Sequence, residues 1–96
     1  MKLDFNFEIK NWQDEPIAKA SEILAKVLEQ SSNSDENYID KINNWGTGVL
    51  KSGALEIDAV DAKVLKELVI KSPAIVTLAK GALKNYIQKR IDETKK

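Results

Sequence analysis

Between Leu3 and Lys10 the chain alternates without a break. Leu3, Phe5, Phe7 and Ile9 fall on one side, and Asp4, Asn6, Glu8 and Lys10 on the other. A period of two does not suit a helix and predicts a half-buried strand. Asn11 to Pro16 reads as a turn and Ile17 as the start of a short return strand, so a β-hairpin is expected over about residues 3–17. A lone hairpin is unstable in water, and its apolar face must pack on the rest of the chain.

The rest switches to a helical period. Ala20, Ile23, Leu24, Val27 and Leu28 predict a helix over about 18–30, ended by Ser31-Ser32-Asn33-Ser34. Ser34 is the expected N-cap of a second helix, over about 35–51, with Asp35 and Glu36 in its first turn. Its stripe is Tyr38, Ile39, Ile42, Trp45, Val49 and Leu50, and it is interrupted by Gly46 and Gly48, each costing roughly 1 kcal/mol against alanine. Such glycines imply a kink or a close neighbour. Gly53 suits a C-terminal cap. Leu55-Glu56-Ile57 is an extended connection, and Asp58 caps a third helix over about 59–71 with Val60, Val64, Leu65, Leu68 and Val69 inward. Ser72-Pro73 reads as the cap and first position of a fourth helix, about 73–93, striped by Ile75, Leu78, Ala79, Ala82, Leu83, Tyr86, Ile87 and Ile91. The expectation is one domain over 1–96, mostly α (α+β), with an N-terminal β-hairpin packed on a compact array of about four helices.

What the chain lacks narrows its chemistry. It has no histidine and no cysteine. Disulfides, zinc–thiolate sites and Ser-His or Cys-His nucleophiles are therefore excluded. Carboxylate pairs remain: Asp58 with Asp61, Asp14 with Glu15, and Asp35 with Glu36. A glycosidase-like pair or a divalent-cation site would use such groups. Their positions at helix starts point instead to capping and dipole compensation. Gly46-Thr47-Gly48, followed by Lys51-Ser52, lacks the spacing of a phosphate loop and lies within a helical pattern. We expect no enzyme, no cofactor and no metal.

The formal net charge is zero, which disfavours nucleic acid and anionic membranes as partners. No apolar run approaches the roughly twenty residues of a membrane span, and the first residues hold no signal-like core, so a cytoplasmic location is expected. Charge is nevertheless polarised. Residues 1–48 carry 5 Lys/Arg and 9 Asp/Glu, a net of −4, and residues 49–96 carry 10 and 6, a net of +4. Lys71, Lys80, Lys84, Lys89 and Arg90 follow one another with no acid between Glu67 and Asp92. Lys80, Lys84, Lys89 and Arg90, with Tyr86 to stack on a base, are the candidate anion-binding set. A solvated helix face with cations near its C-terminus explains the same residues.

Of the two tryptophans, Trp45 sits on an apolar stripe and reads as core, whereas Trp12 falls in the hairpin turn with no structural duty forced on it. Trp12, with Phe5 and Phe7 of the hairpin, is the candidate partner-binding set, because tryptophan is enriched at interface hot spots.

The opening Met1-Lys2-Leu3-Asp4, with Ile9-Lys10 and Pro16-Ile17, resembles small bacteriophage and prophage accessory proteins that begin with a strand, a turn and a second strand and continue as helices. Ile23-Leu24-Ala25 to Leu28 and the Leu55-Glu56-Ile57-Asp58 entry also look similar. Those proteins commonly carry a glycine in the turn, where this chain has Gln13-Asp14-Glu15. The resemblance implies a phage-type protein in the cytoplasm of a bacterial host that binds a viral or host protein, as an assembly helper or as an inhibitor of a host factor such as a defence system. The second expectation is an oligomer of this chain that sequesters a small anionic ligand such as a nucleotide signal. DNA reading by a helix ranks below both, because no Arg/Asn/Gln cluster suits base edges.

Overall fold

The computed structural model describes residues 1–32 and 35–94. In chain order it holds β1 (Lys2–Asp4), β2 (Glu8–Lys10), β3 (Pro16–Lys19), α1 (Ala20–Glu29), α2 (Glu36–Ser52), β4 (Ala54–Glu56), α3 (Ala59–Lys71) and α4 (Thr77–Thr94). The chain is therefore α+β, a β-hairpin and helices around one core, as the hydrophobic periods predict.

The alternation from Leu3 to Ile9 predicts the faces correctly: Leu3, Phe5 and Ile9 are buried and Phe7 is half-buried. It does not yield one strand. β2 and β3 form the hairpin, with Glu8 opposite Lys19 and a bulge at Ile9/Lys10. β1 instead pairs antiparallel with β4, placing Leu3 opposite Leu55. The expected hairpin over 3–17 is thus a hairpin over 8–19, and the Leu55-Glu56-Ile57 connection is a strand.

The break has a local cause. The Asp4 carboxylate accepts a hydrogen bond from the Asn6 backbone N–H (2.9 Å), and the Asn6 amide donates to the Ser52 carbonyl (3.0 Å). These bonds turn residues 5–7 out of the strand and seat them between two helix ends. α1 has no side-chain cap, so its first donors need other partners. Phe7 O accepts from Ala20 N (2.8 Å) and Phe5 O from Ser21 N (3.0 Å).

At the other helix end, Gly53 takes the left-handed conformation at φ 76°, closing α2 with a bond from its N–H to Val49 O. Asp35 caps the start of α2, its side chain accepting from Asn37 N; the expected cap, Ser34, lies outside the described residues. α3 begins as expected, with Asp58 accepting from Asp61 N at 2.8 Å. α4 begins later than expected. Ser72 Oγ accepts from Ala74 N (3.2 Å), but this bond closes a turn, and helical bonding starts with Lys80 N to Val76 O.

The core joins Leu3, Phe5 and Ile9 to Leu24, Val27 and Leu28 of α1, Ile42, Trp45 and Val49 of α2, Leu65 and Val69 of α3, and Leu83, Ile87 and Ile91 of α4. Three stripe residues turn outward instead: Ile39, Leu50 and Val60 are 43%, 70% and 65% exposed. Ile39 and Leu50 lie on the shoulder of the α2 stripe, whereas Val60 lies roughly opposite the buried Ala62, Leu65 and Val69 of α3. At Gly48 the Leu55 side chain of β4 comes within 3.5 Å of where a Cβ would sit, a close neighbour of the kind the sequence implied. Gly46 has no neighbour that close. Among the described residues, no helix is long and apolar enough to cross a membrane.

Candidate interaction surface

The β2–β3 turn is built around one side chain. Asn11 Oδ1 accepts from both Gln13 N and Glu15 N at 2.9 Å, and its backbone pairs with Glu15 O (2.9 Å) and Asp14 N (3.0 Å). An asparagine that mimics a backbone turn in this way fixes the loop. Asp14 takes the left-handed position at φ 63°, the place a glycine would fill, and its carboxylate lies 3.6 Å from Lys10 Nζ. The residue this turn presents is Trp12, 96% exposed. Among the described residues β3 has no second strand beyond β2, and its Ile17 is 49% exposed. The tip and outer strand of the hairpin therefore expose two large apolar side chains, Trp12 and Ile17, among the polar Gln13, Asp14 and Glu15.

Phe5 and Phe7 do not join that surface. Phe5 is wholly buried and offers no atom to a partner, which corrects its assignment as a binding residue. Its ring meets Tyr86 edge-on at 5.3 Å, and Phe7 packs on the same Tyr86 ring at 5.1 Å. Both phenylalanines lie on the inward face of the alternation, which Phe5 buries wholly and Phe7 in part against Tyr86 of α4.

Of the candidate anion-binding residues, Tyr86, Lys89 and Arg90 line one open hollow with Lys2, Asp4 and Glu93. Tyr86 packs on both phenylalanines and its hydroxyl accepts from Asp4 N (2.8 Å), while the half-buried residue still lines the hollow. Arg90 donates from Nε and Nη2 to the Lys2 carbonyl and from Nη1 to Glu93 (2.7 Å). Lys80 donates to Ile70 O and Lys84 to Asn85. Lys89 is exposed, and nine residues on from Lys80 it faces roughly the opposite side of α4. Lys80 and Lys84 do not line that hollow, and Asp4 and Glu93 offset its cations, with Glu93 pairing with Arg90 at 2.7 Å.

Asp35 and Asp58 act as caps, while Asp14 and Glu15 lie in the hairpin turn, where Asp14 meets Lys10. Asp58 holds the start of α3, while the Asp61 carboxylate meets Lys41 Nζ at 3.2 and 3.3 Å. That hydrogen bond raises the Lys41 pKa above its ordinary value. Among the described residues, no group of three or more acidic side chains could hold a metal ion. No known protein family, curated protein or solved structure matches this chain.

Proposed function

We propose that this chain is a non-catalytic protein-interaction module that grips a partner protein with Trp12 and the outer strand of its hairpin. The observation that carries this reading is the 96% exposure of Trp12 on a turn whose shape is set by Asn11. A large apolar ring held in water is unfavourable in the isolated chain and becomes favourable when a pocket covers it. Because the turn is already ordered, little conformational entropy is lost on docking. Ile17 extends the patch, and the open β3 edge offers backbone groups to a partner strand. The mechanism is steric: the helical body blocks or bridges whatever the hairpin holds. The resemblance to phage accessory proteins supports a viral or bacterial host protein as the partner.

The test is affinity capture from bacterial lysate with quantitative mass spectrometry, comparing the natural chain with Trp12→Ala and Ile17→Ser. We expect a protein whose recovery falls roughly thirtyfold with Trp12→Ala, the size of a hot-spot loss. Trp12→Ala should fold and melt as the natural chain does. Equal recovery of every captured protein by both chains would sink the reading.

A further inference from the structure

A second surface lies on α1 and α2. Ile39 and Leu50, the two shoulder residues of α2, stand at the ends of a groove whose floor is Leu28 and Ala25 of α1 with Ile42 and Gly46 of α2. The polar side chains on this ridge are already bonded to their own helix: Asn43 donates to Ile39 O (3.0 Å) and Thr47 to Asn43 O (2.9 Å). The groove thus has an apolar floor, with Glu29, Ser31, Asn43 and Thr47 among its lining.

Gly46 is the second observation. It lies mid-helix, where glycine is disfavoured against alanine. A Cβ there would meet only Leu28 Cβ, at 3.8 Å, an ordinary contact, so the fold itself has room for alanine. The missing side chain deepens the groove and lets another backbone come close.

Charge identifies the occupant. Glu29, Glu36 and Asp40 are exposed around the Ile39 end and make no ion pair or hydrogen bond among the described residues. No Lys or Arg lies between Lys26 and Lys41 in the chain, and Lys41 is held by Asp61. Lys51 lies beyond the Leu50 end, in an adjoining hollow that shares Leu50 and includes Asn6 and Lys19. We propose that this groove docks an amphipathic helix of a partner protein, one that seats apolar side chains over Gly46 and sets lysines or arginines against Glu29, Glu36 and Asp40. Helix-in-groove recognition needs this combination of an apolar floor and a complementary rim. The surface is separate from the hairpin and does not depend on its role.

The test uses the full chain and a fluorescein-labelled Leu/Lys peptide of roughly four helical turns, with leucines at i, i+3, i+4 and i+7. Binding should saturate, weaken as salt rises, and shift the amide resonances of Leu28, Ile42, Gly46 and Leu50. Leu50→Ser, a change at an exposed position, and Gly46→Leu should each weaken it roughly tenfold, and Trp12→Ala should leave it unchanged. Reversal of the rim by Glu36→Lys with Asp40→Lys should cost a further several-fold. Equal binding of a Leu/Glu peptide, or shifts confined to other faces, would overturn the proposal. So would a concentration-dependent dimer in sedimentation that Leu50→Ser abolishes, because the groove would then belong to a second copy.

Discussion

The hydroxyl of Tyr86 accepts a hydrogen bond from the backbone N–H of Asp4 at 2.8 Å, tying the middle of α4 to the end of β1. The same ring packs on Phe5 and Phe7, so one side chain closes the first residues of the chain against the last helix. Tyr86→Phe keeps the ring and loses the bond, and should cost about 1 kcal/mol. Tyr86→Ala also loses the packing and should cost about 3–5 kcal/mol. Urea midpoints of the two variants separate these contributions.

Gly53 and Asn6 form a second tie. The Asn6 amide lies where a Cβ on Gly53 would stand, and Gly53 has a positive φ. Gly53→Ala should therefore destabilise by about 1–3 kcal/mol. Adding Asn6→Ala should return part of that loss, and a four-protein denaturation cycle measures how much.

Gly46→Ala should have the opposite sign to Gly53→Ala. The position is helical and the added methyl fits, so stability should rise by about 0.5–1 kcal/mol. Calorimetry of the variant checks it.

The turn holding Trp12 depends on Asn11. Asn11→Ala removes the acceptor of two backbone donors and should raise amide exchange at Gln13 and Glu15 while leaving the helices protected. Trp12→Ala should change stability by no more than about 0.5 kcal/mol, as expected of an exposed side chain.

Two groups give stability a dependence on pH at the extremes. The Asn6 N–H bond to its carboxylate holds Asp4 below the ordinary 3.8. A depressed folded pKa contributes stability above the unfolded value, and this is lost as pH falls through the folded one. Lys41 is raised above 10.5, chiefly by its hydrogen bond to Asp61. Its contribution is fully present below the unfolded value and is lost as pH rises through the folded one. Asp4→Asn should flatten the acid decline of the urea midpoint, and Lys41→Met the alkaline one.

These residues also show what the sequence could reveal. Period carried the faces: the burial of Leu3, Phe5, Ile9, Leu65 and Ile87 follows from spacing alone. Period does not carry the partner of a face, and so β1 was expected beside β3 when it pairs with β4. Ser72-Pro73 signals a helix start because a serine oxygen caps the N–H two residues on, yet the same bond closes the turn seen here. The place of Trp12 in a turn was legible because that turn is local, but whether its ring stands clear or covers the hairpin edge was not. The capture of Tyr86 by Asp4 and of Arg90 by the Lys2 carbonyl was not, because those partners lie more than eighty residues away. The α1–α2 groove left one trace, a mid-helix glycine with no packing reason.

The pairing of β1 with β4 also governs how the chain is made. The β2–β3 hairpin and α1 join near neighbours and can form within microseconds of leaving the ribosome. Leu3 must wait for Leu55, and Phe5 for Tyr86. At about 5–20 residues per second, roughly 4–17 s of synthesis separate Leu3 from Tyr86. Through that interval the first strand and its apolar side chains have only part of their native cover, which makes the nascent N-terminal segment a natural client for a ribosome-bound chaperone.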